Sequence, residues 1–270
     1  MKYCLVNGEF ISRKKARLDI NDVGVTRGAG MFDFLRVYDS IPLYLPNHLE
    51  RLNRGMKMMG FPDVEGLDGK IRELLEVNDV TGDSGVRILV TGGKDFTLDE
   101  PQIIITQEMI SPPSAESYTH GASLLLDEYQ RELPEVKSTN YLRAVMLYRE
   151  MVEFGASDIL YHHAKIISEC ARSNVFLVRD GQLITSGENV LQGITRMHVL
   201  EIADTYMPVM KGLITLKDLE TCDELFITST IKRILPISKV SGIERIWKPG
   251  PVTKDLMKRL DERDTKEKQL

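Results

Sequence analysis

Between Glu108 and His120 the alternation of apolar and polar residues lapses, with Ser111-Pro112-Pro113-Ser114 in the middle of the gap. Proline lacks the backbone N–H that a helix interior or a sheet ladder needs, so neither element runs through this stretch. The gap divides the 270 residues into a small domain over 1–110, a linker over 111–121 and a larger domain over 122–270. Each of the two domains carries a two-residue turn that accepts positive φ at both positions and so closes a hairpin. Asn7-Gly8 lies between Tyr3 to Val6 and Glu9 to Ile11, and Asp180-Gly181 between Val175 to Val178 and Gln182 to Thr185.

Other segments carry the helical period. Leu49, Leu52, Met56 and Met59 recur at that spacing with Gly60 as a stop, and Arg51 lies off their stripe. Leu142, Val145, Tyr148 and Val152 predict one helix over 140–154 with Gly155 at its end, so Lys137 sits just before a helix. Ile194, Met197 and Leu200 begin another directly after Gly193, and 254–270 reads as a charged, solvated helical tail with Leu256 and Leu260. Val86 to Val90 and Ile103 to Thr106 read as short buried strands. The expected class is α/β (α+β) in two domains.

Composition narrows the function. A formal net charge of -5 and the lack of a long basic stretch give no nucleic-acid partner. No apolar run is long enough to span a bilayer, and the N-terminus lacks the apolar stretch of a signal peptide. Cys4, Cys170 and Cys222 lie far apart with no Cys-x-x-Cys pair, which suits a reducing cytoplasm. His162 and His163 are adjacent, so on a strand they point to opposite faces and do not share a metal. No Gly-rich dinucleotide fingerprint, serine elbow or Walker loop is present, leaving chemistry on a small molecule.

That chemistry is carried by Lys137, which opens Lys-Ser-Thr-Asn-Tyr-Leu, and Glu169, which opens Glu-Cys-Ala-Arg-Ser-Asn ahead of an apolar strand. An amine able to form a Schiff base and an acid able to hold a pyridinium nitrogen are what pyridoxal phosphate needs from a protein. Gly193, with Ile194 and Thr195 at a helix start, offers unpaired backbone N–H groups to a phosphate. Arg51 and Thr230 are two more groups suited to phosphate oxygens.

Further segments fall in a familiar order. Gly28-Ala29-Gly30-Met31-Phe32-Asp33 looks like a Gly-Asp-Gly-hydrophobic-Phe-Glu element, and His48-Leu49-Glu50-Arg51-Leu52 like His-x-x-Arg-Leu. Leu191-Gln192-Gly193-Ile194-Thr195-Arg196 is similar to Leu-Pro-Gly-Ile-Thr-Arg, and Phe226-Ile227-Thr228-Ser229-Thr230 to Phe-x-Thr-Gly-Thr. On these segments nearly the whole chain resembles the class IV aminotransferases, the pyridoxal-phosphate family that includes branched-chain and D-amino-acid aminotransferases and aminodeoxychorismate lyase. The resemblance implies a fold-type IV enzyme, a homodimer, and ping-pong transfer of an amino group from an amino acid to a 2-oxo acid. It implies Lys137 as the Schiff-base and proton-transfer residue, with Arg51, Ile194, Thr195 and Thr230 around the phosphate, Glu169 at the ring nitrogen and Tyr141 at the ring hydroxyl. Phe32, Arg36 and Arg87 match positions of branched-chain enzymes, and Arg172 is a further candidate beside the substrate. The branched-chain class is the first expectation, with a D-amino-acid transaminase, a lyase and a non-catalytic binding protein as alternatives. Asp33, Ala29, Gly85 and Gln192 depart from the usual Glu, Asp, Tyr and Pro, and Cys170 and Arg172 interrupt a run of small residues.

Overall fold

The structure, a computed structural model, describes residues 1–269 and divides into two compact units. The first comprises Met1–Ser111, Val136–Asn140 and the tail from Glu267; the second comprises Pro112–Glu135 and Tyr141–Lys266. Lys137, assigned from sequence to the larger domain, thus groups with the first unit.

The first unit contains β1 (Tyr3–Val6), β2 (Glu9–Ser12), α1 (Val23–Arg27), β3 (Gly30–Tyr38), β4 (Ile41–Pro42), α2 (Leu45–Met59), α3 (Leu67–Asn78), β5 (Asp83–Thr91) and β6 (Gln102–Met109). Its strands form one antiparallel sheet in the order β2-β1-β6-β5-β3-β4. Asn7 and Gly8 take φ of 50° and 82°, as the hairpin requires. Alternation along β3 sends Met31, Leu35 and Val37 into the core that α2 and α3 cover, and turns Phe32, Phe34 and Arg36 to the other face. Helix α2 ends at Gly60 in the left-handed conformation. Its buried side chains are Leu45, His48, Arg51, Leu52, Gly55 and Met56. Arg51 therefore lies on the buried stripe rather than off it, because a buried carboxylate, Asp33, receives it there.

The second unit contains α4 (Ala115–His120), β7 (Ala122–Glu128), α5 (Leu142–Met146), α6 (Tyr148–Glu153), β8 (Ala156–His163), β9 (Ile166–Cys170), β10 (Asn174–Arg179), β11 (Gln182–Ser186), α7 (Ile194–Asp204), β12 (Val209–Gly212), β13 (Ile214–Thr215), α8 (Leu216–Thr221), β14 (Glu224–Ser229), β15 (Arg233–Val240) and α9 (Pro251–Glu267). Nine strands make a mixed sheet in the order β12-β11-β10-β14-β15-β7-β8-β9-β13. The Asp180-Gly181 turn closes β10 onto β11 with φ of 50° and 72°.

Three expectations are corrected here. The expected linker holds α4, which Ser114 caps by accepting from the Ser117 N–H. The expected single helix over 140–154 is two short ones meeting at Leu147, and Leu142, Val145, Tyr148 and Val152 are exposed while Met151 is buried. The C-terminal helix is not simply a solvated element: Leu256 and Leu260 pack with Val199, Leu200, Phe176 and Phe226 in one core cluster.

Helix α9 is also fastened at its start. The buried Glu224 carboxylate accepts from the N–H groups of Val252 at 3.0 Å and Thr253 at 2.7 Å, compensating the positive helix end. A Cβ on Gly250 would meet the Glu224 Cδ at 2.1 Å, so a larger residue there would push the carboxylate off the helix start. Glu224→Ala is expected to cost about 1–3 kcal/mol, the worth of charge-assisted bonds left unmade. Urea denaturation reads this, and an unchanged midpoint would show that the carboxylate is dispensable. No helix among the described residues is long and apolar enough to cross a membrane.

Candidate active site

In the first unit, the segment carrying Lys137 is stitched to the start of β3. Ser138 bridges Met31, the Phe32 N–H donates to the Lys137 carbonyl at 2.9 Å, and the Thr139 N–H donates to the Gly30 carbonyl at 2.9 Å. The Lys137 Nζ then lies 4.6 Å from the Phe32 ring centroid, within cation–π range. Across the strands, Arg87 stands 5.3 Å from the Phe32 centroid and 5.1 Å from that of Phe34, and its guanidinium grips Glu108 at 3.0 and 3.1 Å. Burial raises the Glu108 pKa, but Arg87 together with Thr106 and Arg13 outweighs it and the net shift is downward. Arg36 pairs with Asp83 at 3.1 and 2.5 Å. Both arginines thus form diagonal cross-strand ion pairs.

On the covered face of the same sheet, Asp33 is fully buried. Arg51 donates to it twice, Nε to Oδ2 at 2.9 Å and Nη2 to Oδ1 at 2.7 Å, and the His48 Nδ1–H donates to Oδ1 at 2.6 Å. Burial pushes the Asp33 carboxyl up, but Arg51 and His48 together hold it well below the usual range. Burial keeps His48 below its ordinary value despite Asp33, and the nearby Arg51 and Lys137 charges push the same way.

In the second unit, Glu169 is buried near the end of β9. Its Oε1 accepts from Arg131 Nη1 at 2.7 Å and its Oε2 from the Leu191 N–H at 2.9 Å. Asn174 donates to the Leu191 carbonyl at 2.8 Å, holding the chain just ahead of α7. A Cβ at Gly193 would meet the Asn174 Oδ1 at 2.1 Å, so any larger residue would push Asn174 off its bond to Leu191. Helix α7 begins at Ile194 with no side-chain cap, so the N–H groups of Ile194 and Thr195 and the positive dipole end suit an anion. In the same turn Arg196 is buried; it donates to Gln192 Oε1 and the Ser186 carbonyl, both at 2.8 Å, while its Nε has no hydrogen-bond partner among the described residues. Thr230 is the first residue past β14. Tyr141 precedes α5, half-buried; burial raises its hydroxyl pKa, with Asp158 and Glu169 pushing the same way against Arg131 and Arg172.

A family description of amino-transferase class IV matches residues 30–240, a span that includes both sets of groups. The chain belongs to the class IV aminotransferase family. It is similar to the D-alanine aminotransferase of Staphylococcus haemolyticus, 29% identical over 276 residues and 95% of each chain. That of Bacillus licheniformis is 28% identical over 267 residues, 93% of each chain. Among solved structures, the branched-chain aminotransferase of the thermophilic archaeon Thermoproteus uzoniensis with norvaline superposes with a TM-score of 0.87 at 23% identity, covering 98% of this chain and 95% of that one. This last likeness is one of fold.

Two sequence departures of this class IV aminotransferase have local physical reasons. A Cβ at Gly85 would meet the Phe34 ring at 2.2 Å, so that ring fills the space a larger residue would take. Gln192, standing where proline is usual, provides Arg196 with an acceptor. Arg131 beside Glu169, Asn174 beside Leu191, and Asp33 and His48 beside Arg51 are contacts of the candidate residues to which the sequence reading assigned no role. His48 and Asp33 do sit inside the quoted segments, but Arg131 meets Glu169 only through a contact across 38 positions.

Proposed function

We propose that this class IV aminotransferase uses pyridoxal phosphate to move an amino group between an amino acid and a 2-oxo acid in two half-reactions. The observation that carries the reading is Glu169, a buried carboxylate tied by Arg131 and by the backbone that leads into an uncapped helix start. Each unit carries groups of the chemistry the cofactor needs. Glu169 suits a protonated ring nitrogen, Tyr141 the ring hydroxyl, and Ile194, Thr195, Thr230 and Arg51 the phosphate. The Arg196 Nε, buried without a partner among the described residues, is a donor that an anion would satisfy. Bound pyridoxal phosphate supplies an aldehyde carbon and a ring that accepts the electron pair released at the substrate α carbon. Lys137 Nζ is the amine that would hold the aldehyde, and when free it would serve as the base that takes the proton from the substrate α carbon. Asp33 and His48 fix Arg51 so that its guanidinium is not free to rotate.

The substrate class has two readings. The D-amino-acid reading is supported by curated relatives named as D-alanine aminotransferases that align over nearly the whole chain. The branched-chain reading is supported by Phe32, Arg36 and Arg87 at matching positions, with both rings and Arg87 on one sheet face. We also propose a homodimer, supported by Leu142, Val145, Met146, Tyr148 and Val152, apolar side chains left exposed along α5 and α6. A cytoplasmic setting agrees with three buried free thiols.

The test is the visible spectrum of the protein loaded with pyridoxal phosphate, recorded with D-alanine and, separately, with L-leucine, L-valine and L-isoleucine. One set is expected to abolish the visible band, and a 2-oxo acid to restore it. A band that answers to neither set, with pyruvate released from aminodeoxychorismate and no amino acceptor present, would replace transamination by elimination.

A further inference from the structure

The turn between β9 and β10 buries Ala171 and Ser173 and leaves Arg172 at its exposed apex, three residues past Glu169. It is a rigid mount. The Cys170 N–H donates to the Ser173 carbonyl at 2.7 Å, the Ala171 N–H donates to the Ile159 carbonyl at 2.9 Å, and the Ser173 hydroxyl donates to Asp158 Oδ2 at 2.7 Å. Asp158, fully buried on β8, is the carboxylate nearest this arginine in charge terms, yet Arg172 Nε stands 3.9 Å from its Oδ1, beyond hydrogen-bond range. Lys232 takes that carboxylate instead. Its Nζ is 2.6 Å from Asp158 Oδ2 and donates to the Ser173 hydroxyl at 3.0 Å, closing a buried triangle.

The charges then sort themselves. Arg131 faces Glu169 at 2.7 Å and Lys232 faces Asp158 at 2.6 Å, whereas Arg172 has a long, 3.9 Å approach to that same Asp158 carboxylate. Among the described residues Arg172 makes one side-chain hydrogen bond, Nη2 to the Ser157 carbonyl at 3.2 Å, and its side chain is about half exposed at 53%. It lies within electrostatic reach of Tyr141 and Cys170. A planar guanidinium on a fixed turn, without a full countercharge, is suited to a carboxylate.

We propose that Arg172 binds a carboxylate of the amino-acid or 2-oxo-acid substrate, and that Lys232 is the positioning residue that keeps Arg172 available by neutralising Asp158. This rests on the transaminase reading. Without Lys232, the bare Asp158 charge would draw Arg172 inward across the 3.9 Å gap, because an unpaired buried carboxylate is costly. Lys232 thus sets affinity for the substrate without touching it.

The experiment uses the cofactor-loaded protein. Calorimetric titration with two unreactive probes, glutarate and butyrate, is run beside steady-state kinetics for Arg172→Gln, Lys232→Met and the double variant Lys232→Met/Asp158→Asn. Arg172→Gln is expected to weaken binding and raise KM by about 10- to 100-fold, the worth of one charge-assisted pair, with kcat little changed. Loss with both probes assigns the carboxylate common to all substrates; loss with glutarate alone assigns a side-chain carboxylate. Lys232→Met should reproduce the loss, and the double variant, which removes the competing charge, should restore binding. Unchanged affinity in Arg172→Gln overturns the subsite. Affinity that Lys232→Met leaves intact, or that the double variant fails to restore, overturns the positioning role. If the unaltered protein turns over no amino acid, the transaminase reading fails separately, since the titrations do not depend on turnover.

Discussion

Lys137→Ala is expected to lower transamination by at least about 10^4-fold, the upper range for removing one acid–base group, because the same amine also holds the cofactor. The fold should survive. Lys137 is only partly buried, and its segment is held to β3 by backbone bonds from Phe32 and Thr139, which an alanine leaves intact. The unfolding midpoint should therefore stay close to that of the unaltered protein while the visible absorbance of the loaded protein is lost. Single-turnover kinetics with the best amino donor checks the magnitude. A variant that keeps full activity would end the assignment of Lys137.

The second large effect is structural in origin. Asp33→Asn should destabilise the protein by about 3–5 kcal/mol, because it keeps the shape and removes the countercharge of a buried arginine. Pyridoxal phosphate affinity should fall with it, since Arg51 loses the carboxylate that holds it at two points. The pH dependence gives an independent check. Asp33 has a lowered pKa in the folded chain, so its contribution is present above the unfolded value of about 4 and is lost as pH falls below it. His48 is also lowered, by burial, so the fold prefers it neutral and stability declines on acidification from about pH 6.5 downward. The gap between Asp33→Asn and the unaltered protein should narrow below about pH 4. Denaturant unfolding at several pH values measures it, and a gap that stays constant through that range would remove Asp33 as the group responsible.

Much of the local architecture is legible in neighbouring residues. Asn7-Gly8 and Asp180-Gly181 close hairpins because positive φ is a property of those residues, and Gly60 stops α2 for the same reason. The Gly193 start of α7 is legible too, although the neighbour that a side chain there would displace, Asn174, comes from β10. Periodicity was less informative about burial. The apolar stripe Leu142, Val145, Tyr148 and Val152 is exposed, whereas the charge-rich 254–270 segment buries Leu256 and Leu260. A period reports that a helix has two faces, and what covers each face depends on distant parts of the chain.

By itself the sequence determined the turns, the short strands, the helix α2 and the set of chemically able groups, Lys137, Glu169, Arg51 and the glycine ahead of α7. Those features follow from backbone preferences and functional groups that adjacent residues carry with them. Only the tertiary structure decided that Arg51 answers Asp33, that Glu169 answers Arg131, and that Lys232 reaches Asp158 across 74 positions while Arg172 stays 3.9 Å from it. A buried charge must find its partner wherever the packed chain brings one, and sequence spacing carries no record of that meeting.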